Sequence, residues 1–186
     1  MPSATLPAGV LPDAPATTLT SNRSVRRTYE LVDRDGGVIT RLEGVRGATL
    51  QQVANATLKR GGRASIIDIG QDIDWLTARI KASYEIEGYG SWGLGVYLPS
   101  VPADSWSGGV RRWDVELLDV ATVLAEATFE NGYSLDAGDN VANAIRAIAT
   151  SAGETAVAVT DSDKTLATAR VWEPGTSYLT VINELC

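Results

Sequence analysis

The chain contains no histidine and only one cysteine, one methionine and one phenylalanine. Without histidine it lacks the commonest general base and the commonest metal ligand, which excludes histidine-based catalysis and zinc sites of His/Cys type. The lone Cys186 excludes an internal disulfide. No apolar run approaches the roughly 20 residues that a membrane span needs. The opening MPSATLPAGVLPDAPATTLT has neither the basic n-region nor the continuous apolar h-region of a secretory signal. Positive charge is also scarce: 16 basic residues stand against 23 acidic ones, a net charge of −7, and Lys59, Lys81 and Lys164 are the only lysines. That balance disfavours nucleic-acid recognition through phosphate neutralisation. Arg26–Arg27 and Arg111–Arg112 lie beside predicted strands, where solvated edges or ion pairs account for them. What remains is carboxylate chemistry, or no chemistry.

What the chain does have is strand periodicity. Ile80, Ala82, Tyr84 and Ile86 alternate with Lys81, Ser83, Glu85 and Glu87, and Trp113, Val115 and Leu117 alternate with Asp114, Glu116 and Leu118. Successive strand side chains point to opposite faces, so the first set of each predicts a buried surface and the second a wet or partner-facing one. A chain of 186 residues with 44% hydrophobic content is long enough for one good core or two small ones. Residues 1–23, with Pro2, Pro7, Pro12 and Pro15 among Ala, Thr and Ser, predict an extended arm that cannot bury a core and that another subunit holds.

From Thr28 to Leu118 at least five strands are expected. Asp35-Gly36-Gly37 suits a tight hairpin. Gly61-Gly62 predicts either a second hairpin turn or, preferably, a bulge in one long strand. GYGSWGLGVYLPSVP supplies a glycine-rich turn and a strand over Leu94–Leu98, and Ser107-Gly108-Gly109 a further exposed turn. Asp119 then reads as the N-cap of a helix bearing Val120, Val123, Leu124 and Ala127 on one face. Beyond it, YSLDAGD leading into VANAIRAIATSAG and VWEPGT leading into SYLTVINELC repeat one order: strand, Gly turn, polar cap, helix. AVAVT between them reads as a short strand. The last helix places Tyr178, Val181, Ile182 and Leu185 on one face and meets Cys186 without a cap, which predicts that the polypeptide continues.

The most tempting catalysts are Asp114 and Glu116, which share a strand face at a spacing permitted for a glycosidase carboxylate pair. The same spacing occurs on any strand with a solvated face, and that structural reading is strongly preferred. Asp68, Asp72 and Asp74 suggest a hard-cation site but lack the EF-hand order, and Asp136, Asp139, Asp161 and Asp163 suit turns and caps. Trp113 is expected in the core. Trp92 and Trp106, in Gly/Ser-rich loops, are expected to be exposed for subunit contact, with sugar stacking as the alternative. Gly88, Gly90, Gly93 and Gly95 do not spell a phosphate-binding loop. No catalytic, cofactor or metal residue is assigned.

In order, TYELVDRDGGVI, NATLKRGGRASIIDI, DIDWLTARIKASYEI, WGLGVYLPSVP, RRWDVELLDVATVLAEATF, YSLDAGDNVANAIRAI and VWEPGTSYLTVINEL resemble the N-terminal part of baseplate hub, or tail-tip, minor tail proteins of long-tailed bacteriophages. The resemblance implies an α+β, mainly β fold: a tail-tube-like β-barrel at 24–119, open to completion by later sequence, then a smaller α/β segment at 120–186. It implies a trimeric structural hub in the virion, made in the host cytoplasm and capping the tail tube for DNA passage. Expected partners are further copies of itself, a distal tail or tail tube protein, and a tip spike, fibre or tape-measure protein. Lys81, Glu85, Glu87, Trp92, Trp106, Asp114 and Glu116 are then candidates for a lumen or subunit seam. A carbohydrate-binding module and a carboxylate-dependent cell-wall hydrolase are the alternatives.

Overall fold

The computed structural model describes residues 24–53 and 56–186, so the expected arm at 1–23 lies outside the described residues. Eight strands come first: β1 (Val25–Val32), β2 (Val38–Arg41), β3 (Val45–Gln52), β4 (Arg60–Ile67), β5 (Arg79–Ile86), β6 (Gly90–Pro99), β7 (Ala103–Ser107) and β8 (Val110–Asp119). They pair antiparallel in the order β2-β1-β5-β6-β8-β4-β3, with β7 also on β8. The protein is thus mainly β, with a small helical part after residue 120.

Two bent strands turn this sheet into two layers around one core. β2 and β3 are successive parts of one stretch. Leu42 donates its amide to Tyr29 O of β1 at 2.8 Å, and two residues later Gly44 O accepts from the amide of Ile67, the last residue of β4, at 2.9 Å. The chain changes partner within three residues, and Gly44 sits at that corner with φ of 76°. A Cβ there would stand 2.4 Å from Ile67 O, so the position favours glycine on both counts. The β6–β7 stretch does the same at the opposite corner. Residues up to Tyr97 pair with β5, Tyr97–Pro99 pair with the end of β8, and β7 pairs with its beginning.

The inward faces of both layers meet in one cluster that includes Tyr29, Leu31, Ile66, Ile80, Ala82, Tyr97, Trp113, Val115 and Leu117. The predicted alternation holds fully in β8. In β5 it holds at Ile80 and Ala82 but fades at Tyr84 and Ile86, which are half-buried where the strand runs past the core. Residues 68–78 cross the core's edge, with Trp75 meeting Trp113 edge to face at 5.5 Å.

Gly61 and Gly62 form neither the turn nor the bulge expected of them. They lie in regular register inside β4, opposite Gln51 and Leu50 on one side and Leu118 and Leu117 on the other. The reversal falls between Val53 and Lys59 instead, where Val53 N donates to Lys59 O at 2.8 Å. Glycine is needed for contact rather than for turning: a Cβ on Gly62 would meet Thr49 O at 2.2 Å.

The remaining elements are α1 (Ala121–Glu126), β9 (Tyr133–Leu135), α2 (Val141–Ser151), β10 (Arg170–Trp172) and α3 (Tyr178–Leu185). Both halves of the repeated order are present, and β9 pairs with β10. The caps are Asn140, accepting from Asn143 N, and Ser177, accepting from Thr180 N. Asp119 is one residue too early to be the α1 cap, which is Val120, yet its Oδ1 still accepts from Ala121 N at 3.0 Å. AVAVT is not a strand; residues 156–160 run as irregular chain with no ladder partner among the described residues. This part has its own core, built from Leu135, Val141, Ile148, Trp172, Val181 and Leu185, with Phe129, Tyr133 and Tyr178 stacked against it.

Gly62→Ala is expected to destabilise the protein by about 1–3 kcal/mol, because the new methyl forces β3 and β4 apart. Gly93→Ala, with nothing within 4 Å of its Cβ position, is expected to change stability by under about 0.5 kcal/mol. Urea unfolding midpoints of the two variants check the contrast.

Candidate contact surfaces

Because both layers bury their inner faces in one core, their outer faces turn away from each other. On the outer face of the first layer, Lys81 Nζ lies 3.2 Å from Glu30 Oε2, and the Thr28 and Ser83 hydroxyls are hydrogen-bonded at 2.7 Å. Glu85 stands opposite Arg26 in the ladder. Glu87 lies just past the strand, its amide donating to Ser24 O at 3.2 Å. Ser24, Arg26, Glu85 and Glu87 together line a small depression of about 230 Å³.

Asp114 and Glu116 occupy the other outer face. They stand directly across from Ser65 and Arg63 of β4. A broader, shallow depression of about 740 Å³ runs over this face between Thr49, Arg63, Ser65, Ala103, Asp114 and Glu116. Both carboxylates are exposed, and neither is held by a hydrogen bond or ion pair among the described residues. The structure therefore brings Lys81, Glu85 and Glu87 together on one face and Asp114 and Glu116 on the other, and no single surface holds all five.

The tryptophans separate as well. Neither Trp92 nor Trp106 is in a loop: the first lies in β6 and the second in β7. Trp92 is half-buried, stacked on Tyr84 with ring centroids 5.2 Å apart, so the expected exposure fails there. The two residues are cross-strand partners, where β5 runs past the core. Trp106 is 69% exposed on a strand whose five residues are all exposed, and it stands opposite Arg111. Asp104 binds Arg111 through Nε at 3.1 Å and Nη2 at 3.0 Å. That hydrogen bond, reinforced by the charges of Asp104 and Asp68, holds the guanidinium's pKa above its ordinary value. The same guanidinium lies 5.6 Å from the centre of the Trp113 ring.

The acidic run does local work. Asp68 Oδ1 accepts from Gly70 N at 2.8 Å, and Asp74 accepts from the Thr77 hydroxyl and from the amides of Leu76 and Thr77. The Thr77 hydroxyl is the main reason that the Asp74 pKa falls below its ordinary value. Asp139 accepts from Asp136 N at 2.8 Å, and Asp161 pairs with Arg146. No group of three or more acidic or cysteine side chains suited to a metal occurs among the described residues.

One pair escaped the sequence reading altogether. Arg79, at the head of the alternating strand, and Glu154, in SAGET after α2, form a buried two-pronged ion pair with distances of 2.8 and 2.6 Å. They are 75 residues apart, and neither has a neighbour whose type or spacing announces the contact.

No protein-family model matches the chain, and no curated protein matches it in sequence. Solved structures do match it in fold. A 43 kDa tail protein of prophage MuSo2 from Shewanella oneidensis aligns over 87% of this chain with a TM-score of 0.54 at 9% identity. The tail protein from Neisseria meningitidis MC58 aligns over 87% with a TM-score of 0.54 at 13% identity. This chain spans under half of either protein, 47% and 45% of their lengths. At such identities the likeness is one of fold, and it is the fold of tail proteins, in agreement with the resemblance carried by the sequence motifs.

Proposed function

We propose that this chain is a structural component of a phage tail, forming the N-terminal part of a tail-tip hub. The observation that carries the reading is the match of nearly the whole chain, β layers and α/β segment together, to the fold of two tail proteins. In this reading the two bent strands complete a barrel, and copies of the barrel, three in number, form a ring that caps the tail tube. The ring joins the tube or a distal tail protein to a spike, fibre or tape-measure protein and opens a path for DNA. Exposed strand edges at β3 and β7 are suited to protection by neighbouring subunits. The work of such a part is contact, which fits candidate residues that are exposed charges and one exposed tryptophan rather than a cleft with converging groups.

Native mass spectrometry of the full hub polypeptide is expected to give a trimer, and a strictly monomeric species across the concentration range would count against the ring. In particle images, a labelled chain is expected at the tube's end around the central channel; a label on the outer tail wall would overturn the placement.

A closed ring turns at most one of the two outer faces toward a channel. Charge reversal distinguishes them. Lysines at the channel-lining face, introduced as Asp114→Lys with Glu116→Lys or as Glu85→Lys with Glu87→Lys, are expected to retard DNA ejection in a salt-dependent way by binding phosphate. Reversal at a seam is expected to disperse the ring instead. Equal ejection rates and intact rings for both double variants would remove these four residues from either role.

Trp106 supports a second, narrower reading, because a tryptophan 69% exposed beside Arg111 and Asp104 has the makings of a sugar-stacking platform. Glycan-array binding abolished by Trp106→Ala would favour it, and silence of the unaltered protein would discard it.

A further inference from the structure

The β strands and residues 120–186 do not share a core. Most buried apolar side chains fall into two separate clusters, one around Ile66, Ile80 and Val115 and the other around Ile148, Trp172 and Val181, while Val32, fully buried at the start of the β1–β2 turn, belongs to neither. Besides the chain itself at Asp119–Ala121, a polar clasp joins the two parts. Arg79 of β5 donates to both Glu154 oxygens, with only 7% and 3% of the two side chains exposed. Arg34 adds a second cation 3.6 Å from Glu154 Oε1 and donates to Ala152 O at 2.6 Å. The Thr155 hydroxyl donates to the Asp35 carboxylate in the same β1–β2 turn. Beside the clasp lies a cleft of about 330 Å³ with walls from both parts, among them Arg60, Val96, Leu124 and Val157.

We propose that residues 120–186 swing as one body on the Asp119–Ala121 link, with Arg79–Glu154 as the catch that holds the closed position. Three features carry this. Separation of the cores means that movement leaves each of the two clusters packed. The contact that breaks is made of groups that water solvates readily once they part, unlike an apolar interface. The open cleft beside the catch shows that the adjoining walls are not packed together, which leaves room for displacement. The turn at Asp33–Gly37, far from the hinge in sequence, serves as the keeper for the catch. This device belongs to the chain itself and holds whether or not the hub reading does.

Hydrogen exchange read by mass spectrometry on the full chain tests it. Glu154→Gln removes the charge but keeps the shape. It is expected to speed exchange at residues 33–37 and 152–157 by about tenfold or more, with β4, β8, α2 and α3 keeping their original protection, as independent opening requires. The radius of gyration from small-angle scattering is expected to rise in the same variant. Acceleration spread through both cores would overturn the proposal, since the two parts would then unfold as one unit. Unchanged exchange at the clasp would overturn it equally. If Glu154→Gln does not fold, Arg34→Ala decides, because that guanidinium is about half exposed. A smaller acceleration confined to the same two segments supports the catch, and its absence or its spread into either core overturns it.

Discussion

A core enclosed on two sides by one continuous set of strands needs strands that belong to both layers, and everything else in the β part follows from the two that do. Residues 38–52 pass from β1 to β4, and residues 90–107 pass from β5 to β8. Where a strand changes partner its backbone must bend sharply while its amides and carbonyls stay paired. The corner at Leu42–Gly44 does this with one hydrogen bond to each layer. Once the corners are set, the inner faces are committed to the core and the outer faces to water or to partners. The charged residues between the core positions of β5 and β8 are thereby sent in two opposed directions.

The second part of the molecule attaches by different physics. Desolvating an arginine and a carboxylate is expensive, and their attraction roughly offsets that cost only when geometry and extra hydrogen bonds are good. Arg79 and Glu154 meet the condition through two parallel hydrogen bonds, with Arg34 at the carboxylate's outer side. Such a pair specifies one orientation sharply while adding little net stability, yet removal of one partner leaves a buried charge and costs about 3–5 kcal/mol. An apolar seam of equal size would be stickier and less exact. The clasp is therefore suited to holding two independently cored parts in a defined relation.

Much of this architecture was legible in the chain, and the failures have identifiable causes. The alternation in β8 located its buried face because Trp113, Val115 and Leu117 sit in the middle of a paired strand, whereas Tyr84 and Ile86 obey the same pattern at a strand end that the core does not reach. The Gly/Ser surroundings of Trp92 and Trp106 suggested loops, but cross-strand pairing with Tyr84 and Arg111 overrode composition. Gly61-Gly62 suggested a bend because glycine is usually needed for its backbone freedom; here it is needed for its missing side chain against Thr49 O. AVAVT has strand composition but no ladder partner among the described residues.

The sequence by itself determined the periods of the longer elements: that β5 and β8 are strands, that α2 and α3 are helices, and which side of β8 faces the core. It did so because those properties depend on residues two to four positions apart. The same short-range information carried the strand–turn–cap–helix repeat and, through the order of its motifs, the tail-protein likeness. Only the tertiary structure decided that the acidic candidates divide between two opposed faces, that Trp106 is exposed and Trp92 is not, and that Arg79 meets Glu154. Those outcomes depend on which distant segments fold back against each other, and a contact spanning 75 residues leaves no periodic trace along the chain.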